Sequence, residues 1–118
     1  MATQTHDAFP VLAAAVIRPV GELLVRGFRQ EAERFIAAFS LWICSAVEAG
    51  EMAGIEADSV FTYLGNYLDE RQEPVLSDEV QELLVEGEHL HHAGDPPGGA
   101  ATPDIAYMRK LAQGILAT

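Results

Sequence analysis

Phe35 to Val47 is a run of thirteen residues without a charge, and it follows a segment in which Arg18, Glu22, Arg26, Arg29 and Glu33 recur at spacings of four and three. At about 100° per residue those charges share one helical stripe, with opposite signs adjacent. Val20, Leu24, Phe28, Phe35, Phe39, Trp42 and Ala46 follow the opposite side. The spacing predicts one long helix from about Pro19 to Ala49, amphipathic in its first half and apolar all round in its second. A helix apolar on every side must be enclosed by protein, so this run is expected to be the central column of a bundle or part of a subunit interface. It is too short for a bilayer, which needs about 18–20 apolar residues in a helical span.

The remaining segments also read as helices, since none has the strict apolar/polar alternation of a half-buried strand. A first helix is expected from an Asp7 N-cap through Pro10 to about Ile17. Pro19 has no N–H and collides with the preceding turn, so it is expected to end that helix and open the next. Gly50 and Gly54 bracket a connection, after which Asp58 is the expected cap of a third helix reaching Arg71, with Val60, Phe61, Leu64, Tyr67 and Leu68 inward. Glu73-Pro74 stops it. Ser77 caps a fourth helix with Asp78 and Glu79 in its first turn, where the helix dipole favours acids. Its core stripe is Val80, Leu83, Leu84, Gly87 and Leu90, and Gly94 ends it. Residues 94–101, rich in Gly and Pro, read as a flexible loop. Thr102-Pro103 opens a last helix with Ile105, Met108, Leu111, Ala112 and Ile115 on one face. The expected architecture is a single domain over residues 1–118, all-α, a compact antiparallel bundle of four to five helices.

The charge excludes several functions. Eighteen acids stand against seven bases, which is the wrong balance for direct nucleic-acid binding or an anionic membrane surface, both of which depend on clustered cations. Cys44 is the single cysteine, so no intramolecular disulfide or cysteine-rich metal site is available. It sits among apolar residues and reads as a small buried hydrophobe. No base precedes the apolar stretch Phe9 to Ile17, so the positive start of a signal peptide is missing; a cytoplasmic location is expected.

The acid is also localised. Residues 1–35 hold four acids and four arginines, residues 36–104 hold fourteen acids and one base, Arg71, and residues 105–118 hold Arg109 and Lys110 alone. Glu70, Glu73, Asp78, Glu79, Glu82 and Glu86 span the end of the third helix and most of the fourth. Asp78, Glu82, Glu86 and His89 form a stripe opposite the leucines. Such a face keeps an apolar protein in solution, and it can also recruit a basic protein surface by a salt-sensitive encounter. Inhibitors, immunity-type proteins and nucleic-acid mimics work in this way, although no motif of those families can be matched here.

One competing constellation carries ligand chemistry. Glu86-x-x-His89 and Glu88-x-x-His91 have the spacing by which a carboxylate and an imidazole on adjacent turns share a divalent metal, and His92 follows directly. Only one such cluster occurs, and Glu86 and His89 fall on the outer stripe. Glu31 lands in the middle of the expected apolar face, where a carboxylate is costly unless paired. Packing of the second helix against the fourth would bring Glu31, His91 and Arg71 together. Glu31, Glu88, His89, His91 and His92 are therefore the candidate metal or small-ligand set. No phosphate loop, zinc-protease motif, nucleophile elbow or catalytic triad pattern is present. The leading expectation is a non-enzymatic interaction protein without a cofactor, homodimeric through its second helix and offering an acidic surface to a basic protein partner.

Overall fold

A computed structural model describes residues 4–71, 75–90 and 105–117. Within them lie five α-helices: α1 (Gln4–Val25), α2 (Arg29–Glu48), α3 (Gly54–Arg71), α4 (Asp78–Gly87) and α5 (Ile105–Ala117). They form an all-α bundle of about 41 × 35 × 22 Å, as the periodicity predicts. None of the described helices is long and apolar enough to cross a membrane. The 94–101 loop and the Thr102-Pro103 helix start lie outside the described residues.

The main departure from expectation is where the first long helix ends. The backbone is already helical at Asp7 and continues through Pro10 and Pro19 to Val25, so Asp7 is not a cap and Pro19 is not a boundary. Pro19 cannot donate to the carbonyl of Ala15, but Ala15 is exposed, which leaves that carbonyl to water. The helix stops instead at Gly27, whose φ of 85° lies in the left-handed region. The Phe28 N–H donates to the Leu23 carbonyl at 2.8 Å and the Gly27 N–H to that of Leu24 at 3.1 Å, the paired bonds of a Schellman ending. Gly50 ends α2 identically, at φ 76°, with Glu51 bonded to Ala46 and Gly50 to Val47.

Because the chain turns at Gly27, the phase of α2 is set independently of α1. Ala32, Glu33, Ile36, Ala37, Ser40, Ile43 and Cys44 are buried, whereas Phe28, Phe35 and Trp42 are 49%, 37% and 52% exposed. The expected aromatic core face is thus turned outward, although Val20, Leu24 and Ala46 are buried as expected. Small side chains on the inner face let α2 approach α5, its principal partner. Ser40 satisfies its buried hydroxyl by donating to the Ile36 carbonyl at 2.8 Å.

In the second half of the chain the apolar stripes fall inward as expected, but α4 ends at Gly87 with Glu88 as its C-cap, seven residues before the expected end at Gly94. Val60, Phe61 and Leu64 of α3 are fully buried, with Tyr67 and Leu68 half-buried. The helix begins four residues before Asp58, because the Glu56 carboxylate accepts from the Ala53 N–H at 3.4 Å and holds the first turn. Asp58 lies inside the helix and accepts from the Thr62 hydroxyl. Val80, Leu83, Leu84, Gly87 and Leu90 all face the core. On α5, Met108, Ala112 and Ile115 are buried. Gly87 fits against Phe61: a Cβ on it would stand 2.3 Å from the ring's Cγ.

Candidate functional site

α4 is positioned by its start. Ser77 has extended backbone, and its hydroxyl accepts from the Val80 N–H at 3.3 Å. Its own N–H donates to Glu33 of α2 at 2.7 Å. Glu33 is only 8% exposed, so this charge-assisted bond ties the N-terminus of α4 to the core. The Gln81 side-chain amide adds a bond to the Leu76 carbonyl at 2.8 Å. With Val80, Leu83, Leu84 and Gly87 anchored inward, the helical period turns Asp78, Glu79 and Glu82 to solvent, with Glu86 half-buried beside them.

Exposed acids also occur at Glu31, Glu51, Asp69 and Glu70, whereas Glu22 and Glu48 are paired. Arg26 pairs with Glu22 at 3.4 Å and Arg109 with Glu48 at 2.5 Å, and Arg29 donates to the Val75 carbonyl. Among the described residues no ion pair involves Asp78, Glu79, Glu82 or Glu86; Glu82 accepts from the Tyr107 hydroxyl at 2.5 Å. Asp69 and Glu70 are exposed at the end of α3. Between these two helices, burial first, and then the charges of Asp58 and Asp69, push the Glu88 carboxyl above the ordinary range, against a smaller downward pull from His89.

The sequence-derived residues divide accordingly. Glu70, Asp78, Glu79 and Glu82 are exposed and Glu86 is half-buried, while Glu73 lies outside the described residues. In the ligand set, Glu31 is exposed, which corrects its placement in a buried face: the turn at Gly27 rotates α2 so that Glu33 takes the inner position. The expected meeting of Glu31 with Arg71 fails for the same reason, and Arg71 lies by Tyr67 instead, donating to its hydroxyl at 3.4 Å. His89 is exposed and Glu88 half-buried; His91 and His92 lie outside the described residues. Among the described residues no group of three or more His, Cys, Asp or Glu side chains is placed to hold a metal ion. Sequence reasoning missed Glu33; the signal was its place in the series Ala32, Ile36, Ala37 and Ser40, the small residues of a close-packed face.

Cys44 is fully buried. Burial pushes its thiol up to about 11, outweighing the opposing pull of Arg109, with Glu48 adding to the rise. The thiol is therefore neutral near pH 7 and acts as a hydrophobe, since the thiolate is the reactive form. Comparison with known proteins finds no match among family models, curated proteins or solved structures.

Proposed function

We propose that this chain is a non-enzymatic helical interaction protein that presents the acidic surface of α3 and α4 to a basic protein partner in the cytoplasm. The observation that carries the reading is the exposed set Asp78, Glu79 and Glu82, with Glu86 half-buried beside them, held on one short helix without ion pairs among the described residues. Unneutralised like charges raise the energy of the free protein, and a cationic surface relieves that repulsion while accelerating encounter. Inhibitor, immunity-type and nucleic-acid-mimic proteins are members of this class. The double variant Glu79→Lys with Glu82→Lys is expected to weaken partner capture at low salt by about tenfold or more, with helix content unchanged by circular dichroism. Unchanged capture at low salt sinks the reading, as does stoichiometric metal in the purified protein.

The reading includes a homodimer through α2. Phe28, Phe35 and Trp42 follow one another at seven-residue spacing, are exposed, and continue through Phe39, whose ring centroid lies 5.8 Å from that of Trp42. A stripe of this length, repeated on a second copy related by a two-fold axis, gives each copy an apolar face to cover the other's. Sedimentation velocity is expected to give a dimer, with Trp42→Glu shifting it to monomer. A wild-type chain that stays monomeric at about 100 μM, a concentration that populates even weak dimers, removes this part.

A further inference from the structure

The outer side of α2 carries a second pattern beside its aromatic stripe. Three residues after each of Phe28, Phe35 and Trp42 comes a smaller side chain: Glu31, Ala38 and Ser45. All six are exposed, while Ala32, Ile36, Ala37, Ser40 and Ile43 between them are buried in the bundle. Spacings of three and four that repeat every seven residues form the seam of a two-helix contact. Here one position of the seam holds every large side chain and the other every small or polar one. Phe39, half-buried beside the stripe, packs on Trp42 with ring centroids 5.8 Å apart, which restrains the indole before any partner arrives.

Residues 72–74 and 91–104, outside the described part, contain no apolar side chain larger than alanine apart from proline, so they have nothing with which to fill the stripe. Charge points to a second copy. The chain carries a formal charge of -11, and two copies repel most strongly at α4, which has no Lys or Arg. On α2 the exposed Arg29 and Arg34 balance the exposed Glu31 and Glu48. A basic partner is drawn to α4, whereas a second acidic copy meets least resistance at α2.

Side-chain size then selects the direction. A parallel pair stacks each aromatic on its own copy, leaves Ala38 facing Ala38 across a gap, and brings two Glu31 carboxylates together in the seam. An antiparallel pair sets the large series of one copy against the small series of the other, the alternation by which layers interdigitate. One register uses the whole stripe: Phe28 meets the partner's Ser45, Phe35 the partner's Ala38, and Trp42 the partner's Glu31. The last pairing gives the indole N–H, which can only donate, a carboxylate acceptor. Neither group has another hydrogen-bond or ion-pair partner among the described residues.

We propose that α2 pairs antiparallel with α2 of a second copy about a two-fold axis level with Ile36 and Ala37, each aromatic of the stripe seated on the smaller residue opposite. This rests on the homodimer reading and adds its direction and register.

The test places a nitroxide spin label on Ala49→Cys, at the exposed C-cap of α2, in the full chain. Cys44 is fully buried, and the parent chain is the labelling control. In the antiparallel register the labels stand about 25 residues apart along the pair, about 37 Å, and double electron–electron resonance at about 100 μM is expected to give that distance. A parallel pair brings them within about 20 Å, and an antiparallel pair slipped so that Trp42 meets the partner's Ala38 gives about 27 Å. Ala38→Phe fills the hollow that receives the partner's Phe35 and is expected to weaken the dimer about tenfold or more by sedimentation, with helix content unchanged because the position is exposed. A dimer with either shorter distance, or one broken by Trp42→Glu and untouched by Ala38→Phe, overturns this arrangement and leaves the α2 dimer standing. A dimer indifferent to both substitutions, or a chain that is monomeric at that concentration, overturns both.

Discussion

Replacing Gly87 with alanine is expected to destabilise the protein by about 1–3 kcal/mol, although alanine is the better helix former by up to ~1 kcal/mol. A Cβ at this position would stand 2.3–2.6 Å from three atoms of the Phe61 ring, well inside van der Waals contact. Phe61 is fully buried and packed on every side, so the ring cannot swing away as a surface side chain would. Either α4 lifts from α3 or the ring is forced off its preferred rotamer. Denaturant unfolding checks the size of the loss, and a cycle with Phe61→Leu should recover part of it, since the two changes share one contact. Gly65→Ala is the control: its nearest neighbour would be Glu88 Oε2 at 3.8 Å, an ordinary contact. If Gly87→Ala is as stable as the parent chain, the close α3–α4 approach is wrong.

Glu33→Ala is expected to cost a similar amount, about 1.5–3 kcal/mol, the range for a hydrogen bond to a charged group. The substitution leaves the Ser77 N–H without its acceptor and removes a carboxylate from the positive end of α4, where the helix dipole favours it. Glu33→Gln keeps an acceptor oxygen without the charge and should restore a substantial part of the loss. The loss should also be local first: hydrogen exchange at the start of α4 is expected to accelerate more than at α5. Uniform protection along α4 in Glu33→Ala would contradict the role assigned to this bond. Because α4 carries the acidic stripe, the same variant links core packing to the candidate site.

These two contacts mark the limits of what the sequence discloses. The start and inner face of α4 are legible, because three local signals agree: a serine cap, acids in the first turn and an apolar stripe at helical spacing; its end is not, since it stops at Gly87 and not at Gly94. α5 was legible from its apolar face for the same reason. Its start lies outside the described residues. The division between α1 and α2 was misread because Pro19 is a strong local signal and Gly27 a weak one. A proline inside a helix withholds one hydrogen bond, and its cost depends on whether the orphaned carbonyl reaches water. Ala15 is exposed, so the helix continues. Gly27 looks like any helical glycine until the Schellman bonds from Gly27 and Phe28 are seen.

The sequence by itself determined the fold class, the burial of α4 and α5, the apolar character of Cys44 and the confinement of negative charge to the middle of the chain. Each follows from local periodicity or from counting. Tertiary structure decided which face of α2 is buried and that Glu33 and not Glu31 is the inner carboxylate. Those facts depend on the rotation between helices, set by a left-handed turn and by contacts between residues some forty positions apart, such as Glu33 with Ser77. A one-dimensional pattern fixes the phase of side chains within a helix; only packing fixes the phase of one helix against another.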